Sequence, residues 1–182
     1  MRALVTYESM FGNTRSIAEV VAEGLRRHLE VSLVEVADAP PLIGDGIDLL
    51  VVGGPTHAHG MTTPESRANS ATRAGDQLVS RGSGIREWLE AVSASPRKVP
   101  ADAFDTRIKG PGILWGSAAK AAEKQLRGAG FTMAASPQSF LVGGPTGPVF
   151  DRVIDGELDR ARRWGAELGS TAAEATVDLP AV

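Results

Sequence analysis

An α/β fold built on a five-stranded, doubly wound parallel sheet is predicted by three observations. Strand-like and helix-like patterns alternate along the 182-residue chain with short turns between them, the signature of βαβ units whose helices cover both faces of a sheet. The strand-like runs are almost continuously apolar, as strands buried on both faces must be. The length, with 42% hydrophobic residues, matches one α/β core in a single domain.

The elements follow in order. Residues 3–7, Ala-Leu-Val-Thr-Tyr, read as a first buried strand. Behind it Ile17, Val20, Val21, Gly24 and Leu25 recur at the spacing of one helix face. Residues 31–36 form a second strand after a turn at 28–30, and 47–52, with five apolar residues in six, form a third that ends at Gly53-Gly54-Pro55. A helix is expected over 85–92, with Ser83 near its cap, and a weak fourth strand over 103–108. Ser117 is the N-cap of a helix over 117–126. Residues 131–134 and 139–142 make a fifth strand interrupted at Ser136-Pro137. The last helix spans 156–168, with Leu158, Ala161, Trp164, Gly165 and Leu168 on one face. The domain is therefore placed at 1–169, with 170–182 a loose tail.

The segment between the first strand and the first helix is Ser9-Met10-Phe11-Gly12-Asn13-Thr14. A strand running into a small, hydroxyl-rich turn and then a helix is an anion site, because unpaired N–H groups and the helix dipole converge there. Ser9 and Thr14 add hydroxyls, Gly12 lets the chain curl, and Asn13 tolerates the same geometry. No Lys or Arg lies within the loop. Neither G-x-G-x-x-G nor G-x-x-x-x-G-K-[ST] occurs, so the loop suits a single terminal phosphate rather than a dinucleotide or triphosphate. The bland alternative is a well-capped βα turn that binds nothing.

This loop resembles the phosphate loop of the flavodoxin family, in the S-M-[YFW]-G-[NS]-T form found in flavodiiron-protein flavodoxin domains. The resemblance implies a three-layer sandwich with strand order 2-1-3-4-5 over essentially the whole chain. It also implies FMN as cofactor, its 5′-phosphate held by Ser9, Met10, Phe11, Gly12, Asn13 and Thr14. Phe11 stands where short electron-carrier flavodoxins often have Thr, so one hydroxyl is missing.

In such a sheet the ligand lies beyond the carboxyl ends of the strands, at the switch point between the first and third. Two further loops reach that crevice, 53–61 and 109–117. The first resembles the family's G-x-P-T segment and assigns Pro55, Thr56, His57, His59 and Gly60 to one side of the flavin ring. The second assigns Leu114, Trp115 and Gly116 to the other. Trp115 either stacks on the ring or caps the end of the sheet. His57 and His59 have three readings: a flavin border, solvated loop residues, or a metal pair. The metal reading lacks a third ligand at matching spacing, Glu8 and Glu65 being only loosely placed. Neither flanking loop holds an Asp or Glu, so reduction of the flavin meets less repulsion than in strongly acidic relatives.

Residues 62–83 depart from the minimal pattern, being rich in Ser, Thr, Ala, Gly and Arg. Thr63-Pro64-Glu65 is a helix start, and Arg67, Arg73 and Arg81 make the stretch faintly basic. It either shapes a substrate pocket or is a solvated surface loop.

Composition narrows the function classes. The absence of cysteine excludes disulfides, thiolate metal sites and cysteine nucleophiles. A formal net charge of −3 argues against nucleic acid as a partner. The chain goes straight into a strand and has no apolar stretch of membrane-spanning length, so a cytoplasmic protein without a membrane anchor is expected. A phosphorelay receiver is excluded because the third strand ends in Gly53-Gly54 rather than Asp, and a low-molecular-weight tyrosine phosphatase by the missing Cys. Three readings stand: an FMN-binding electron carrier serving a redox partner protein; an FMN-dependent NAD(P)H:quinone-type oxidoreductase resembling the tryptophan-repressor-binding-protein group; and a degenerate member without flavin.

Overall fold

A computed structural model describes residues 1–44, 46–57, 60–94, 99–109, 116–144 and 152–177. The chain runs β1 (Arg2–Tyr7), α1 (Asn13–Leu25), β2 (Glu30–Glu35), β3 (Leu42–Ile43), β4 (Leu49–Pro55), α2 (Pro64–Ala74), α3 (Ile85–Ala91) and β5 (Ser93–Ala94). It continues through β6 (Pro100–Ile108), α4 (Ala118–Gly128), β7 (Thr132–Met133), β8 (Gln138–Val142) and α5 (Glu157–Val177).

The main sheet has the order β2-β1-β4-β6, and its last position is shared by β7 and β8, both paired with β6. Every pairing is parallel. β7 meets Pro100 and Ala101 at the start of β6, whereas β8 runs beside residues 104–108. Counted as one interrupted strand, β7 and β8 complete the expected order 2-1-3-4-5. β3 and β5 form a separate two-stranded sheet that the sequence did not announce.

Alternation along the strands divides the core between two faces. Ala3, Val5, Leu49, Val51, Phe104 and Phe140 pack under α1 and α5. Leu4, Leu50, Val52, Ala101 and Ala103 pack under α3 and α4. On the first face Phe104, Phe140 and Trp164 meet edge to face, with centroids 6.0–6.1 Å apart. On the second, Trp88 is buried and donates its indole N–H to the Ala39 and Pro40 carbonyls.

Several boundaries differ from expectation. β4 begins at Leu49 and runs through Gly53 and Gly54 to Pro55, because these glycines leave room for neighbours rather than turning the chain. A Cβ on Gly53 would overlap the Phe104 ring. β6 is not weak: it spans nine residues inside the sheet, between β4 and the β7/β8 position. Buried Asp102 and Asp105 had broken its apolar pattern. The helix expected over 85–92 ends at Ala91.

The last helix continues beyond 168 to Val177, so residues 170–177 belong to it rather than to a loose tail. Gly169 is not a stop signal; a Cβ there would press on His28 and on the Leu25 carbonyl, so the glycine admits close approach of α5 to α1. Ala172 is buried in the same core. Gly24 and Gly165 serve the same purpose, since a Cβ on either would overlap backbone of the facing helix. Among the described residues no helix is long and apolar enough to cross a membrane.

Candidate functional site

At the carboxyl ends of β1, β4 and β6 lies a cavity of about 340 Å³, within the range typical of small-molecule sites. Ser9, Met10, Phe11, Asn13 and Thr14 form one part of its lining. Pro55, Thr56 and His57 form a second part, and Thr106, Arg107 and Ile108 a third. Of the remaining expected residues, Gly12 lies in the loop itself, while Gly60 and Gly116 stand outside the lining. His59, Leu114 and Trp115 lie outside the described residues.

The loop after β1 holds its shape through a few specific bonds. Gly12 has φ +94°, a conformation that favours glycine. Its N–H donates to Ser9 Oγ at 3.1 Å, and its carbonyl accepts the first helical bond, from Ser16 N–H at 2.9 Å. No side chain caps α1. The N–H groups of Asn13, Thr14 and Arg15, in its first turn, have no intrahelical acceptor, and no side chain of the N-cap residue takes their place. Thr14 Oγ1 lies 2.7 Å from Thr106 Oγ1; one proton serves that bond, and the other hydroxyl remains free to donate. A thirteen-residue helix with an uncapped N-terminus, neutral donors around it and a cavity beyond suits a phosphate monoester.

Two buried carboxylates build the scaffold behind the lining. Asp105 Oδ2 accepts from Thr56 Oγ1, Ser117 Oγ and the Ala119 N–H at 3.0, 2.6 and 3.0 Å. Thr56 Oγ1 in turn accepts the Ala118 N–H. The Thr56 hydroxyl thus serves to fix the start of α4, although the residue lines the cavity. Glu8, fully buried, accepts from Thr62 Oγ1 at 2.7 Å and from the Ile85 N–H at 2.8 Å. Burial pushes its carboxyl above the usual range, against the pull of those two donors and the Arg67 charge. Arg67 donates to Thr62 Oγ1 and pairs with Glu87 at 3.0 Å. Glu8 therefore serves as an internal hydrogen-bond acceptor. Among the described residues no group of three His, Cys, Asp or Glu side chains could hold a metal ion.

The stretch 62–83, left open between pocket wall and surface loop, contributes a wall of the cavity. Residues 64–74 form α2, opened by a Thr63–Ser66 capping box with Pro64 in the first turn. Its Ser66, Asn69, Ser70 and Arg73 line the cavity. The return segment braces the loop after β1: Ser80 N–H donates to the Ser9 carbonyl, Val79 N–H to the Met10 carbonyl, and Ser80 Oγ accepts the Ser9 N–H. Ser80 Oγ donates onward to Glu35 at 2.6 Å. In the sequence, Arg73 stood out in this stretch only for its charge, and the Thr63-Pro64-Glu65 helix start was the local signal of α2.

Among the described residues that line the cavity, the charged side chains are Arg73 and Arg107, with His57 beside them and no Asp or Glu. His57 bonds Gly60 in both directions through the backbone. Burial, with the Arg73 charge second, holds its imidazole below the ordinary value, so it is neutral at pH 7.

No family model matches the chain, and no curated protein matches it in sequence. Solved structures do match in fold. Flavodoxin 1 from Bacillus cereus superposes with a TM-score of 0.64 at 16% identity, over 93% of this chain and 98% of that one. The flavodiiron core of a Synechocystis sp. PCC6803 protein gives a TM-score of 0.60 at 15% identity, over 96% of this chain and 36% of that one. A WrbA-like flavodoxin from Agrobacterium tumefaciens gives 0.52 at 17% identity, over 95% of this chain and 98% of that one. The fold is flavodoxin-like.

Proposed function

We propose that the cavity binds FMN non-covalently and that the protein transfers electrons through it. The observation that carries this reading is the uncapped N-terminus of α1, opening with left-handed Gly12 onto a cavity free of carboxylates among its described lining. The first-turn N–H groups of α1, the Gly12 curl and the Thr14–Thr106 hydroxyl pair would hold the phosphate. Pro55, Thr56 and His57 would flank the ring on the β4 side. Bound there, FMN would supply reversible electron and hydride chemistry, the protein contributing position and electrostatics. The basic lining favours the negative charge that reduction develops.

The carrier reading pairs this site with a redox partner protein. A second reading, an FMN-dependent NAD(P)H:quinone-type oxidoreductase, is favoured by one observation. Helix α2 adds a wall to the cavity beside the loops and sets a few polar side chains in it, the arrangement of a small-molecule pocket rather than an open docking edge.

Titration of the purified protein with FMN and with riboflavin, followed by flavin fluorescence, tests the common premise. FMN is expected to bind and riboflavin to bind much more weakly. Equal affinity for the two, or no uptake of either, overturns the phosphate-loop reading. Anaerobic mixing of the FMN-loaded protein with NADPH then separates enzyme from carrier: bleaching supports the former.

A further inference from the structure

Ser66, Asn69, Ser70 and Arg73 stand at i, i+3, i+4 and i+7 of α2, and all four face the cavity. A helix in such a place ordinarily turns apolar residues inward; here the inward stripe is polar throughout. The two serine hydroxyls are used within the helix, Ser66 Oγ donating to the Thr63 carbonyl and Ser70 Oγ to the Ser66 carbonyl. Asn69 and Arg73 have no hydrogen-bond or ion-pair partner among the described residues. The Arg73 guanidinium instead lies over the Phe11 ring, 5.7 Å from its centroid.

Phe11 is part of the loop whose donors are all neutral. The cavity puts beside that loop an exposed guanidinium that rests on an aromatic face and, among the described residues, has neither an ion-pair partner nor a carboxylate in the lining to compete for it. A cation–π contact at an exposed site is weak and leaves such a side chain free to turn toward a better partner. A phosphate is that partner, because the planar guanidinium matches its oxygens with two parallel, charge-assisted hydrogen bonds.

We propose that Arg73 is a direct ligand of the bound phosphate, lent to the loop by α2, and that it supplies the positive charge the loop lacks. The assignment rests on the reading of residues 9–14 as the FMN phosphate site. It gives α2 a specific task, discrimination of a phosphorylated flavin from its unphosphorylated parent. It also makes FMN affinity depend on ionic strength, which neutral donors alone would not do strongly.

The test compares FMN and riboflavin affinities of the parent, Arg73→Ala and Arg73→Lys at low and high ionic strength, with inorganic phosphate as a competing probe. Arg73→Ala is expected to weaken FMN by about tenfold or more, the worth of a charge-assisted pair, and to leave riboflavin unchanged. Arg73→Lys should recover part of the loss, and the parent's salt sensitivity should shrink in Arg73→Ala. The inhibition constant of inorganic phosphate against FMN should rise in Arg73→Ala relative to the parent. Arg73 is exposed on its helix, so the variant's melting curve should match the parent's. An Arg73→Ala protein that keeps the parent's full preference for FMN overturns the assignment and leaves the flavin reading standing. A parallel loss of FMN and riboflavin also overturns it, placing Arg73 against the ring or the ribityl chain. A parent that shows no preference for FMN overturns both.

Discussion

The cavity has two walls, and different forces hold them. The α1 wall stands on apolar packing: Ile17, Ala18, Val21 and Leu25 are buried, and α5 closes on α1 through glycines at Gly24 and Gly165. Helix α2 itself buries one side chain, Ser70, and its wall stands chiefly on polar bonds. Thr62 and Ile85 hang on Glu8, Arg67 pairs with Glu87, and Arg86 donates to the Met61 and Thr62 carbonyls. An apolar wall loses stability in proportion to the surface exposed, whereas a polar wall opens when one acceptor is removed. The first is suited to presenting a fixed nest of donors, and the second to adjusting around a ligand.

The largest expected effect breaks the apolar wall. A side chain at Gly165 would overlap the Val21 carbonyl, and backbone cannot move aside cheaply. Gly165→Leu is expected to lower stability by roughly 3 kcal/mol or more, read as a fall in the urea midpoint. If the midpoint holds, α1 and α5 are not locked as described.

A buried carboxylate belonging to neither wall offers a control of nearly the same size. Asp102 is fully buried on β6, with Oδ2 lacking a hydrogen-bond partner among the described residues. Burial raises its carboxyl from 3.8 to about 6, opposed by the Ala103 and Ala135 N–H groups. Folding therefore favours the protonated form. The penalty is absent below pH 3.8, grows as pH rises, and is complete above about pH 6. Asp102→Asn should gain roughly 2–3 kcal/mol at pH 8 and about nothing at pH 3.5 relative to the parent. Both walls should gain alike in hydrogen exchange. A gain confined to one wall would tie Asp102 to that wall and break the comparison.

Removing the polar wall's anchor comes next. Glu8→Ala leaves the Ile85 N–H without its acceptor in a buried place and frees Thr62, at a cost of about 2 kcal/mol. Amide exchange should quicken across 62–83 while α1 keeps its protection. Equal quickening in both would show that the two walls open as one unit.

This division also marks what the sequence made legible. The α1 wall could be read because its burial is apolar and periodic, from the strand at 3–7 through Ile17, Val20 and Val21. Of the α2 wall only the helix start at Thr63-Pro64-Glu65 could be read, because its inward face at 66, 69, 70 and 73 is polar and leaves no hydrophobic period. The same blindness made β6 look weak, since Asp102 and Asp105 interrupt its apolar run at the places where it carries internal bonds. Gly169 misled in the opposite way: a residue that often ends helices is here a point of helix contact. Glu8 and Ser80 lie far apart in the sequence from the groups they brace, so spacing alone could not pair them.

The smallest effect lies where the walls meet. His57 on the β4 side is held below the ordinary imidazole value first by burial and second by Arg73 on α2. Its neutral form is favoured by folding, so it adds nothing to the pH dependence above 6.5 and costs stability as pH falls below that value. In Arg73→Ala the burial remains and the charge is gone. The His57 titration, followed by imidazole NMR, should therefore move upward and stay below 6.5. No movement would mean that Arg73 does not act across the junction between the walls. A rise to 6.5 or beyond would mean that charge from α2, not burial, governs His57, and that the α2 wall reaches further into the site than its position implies.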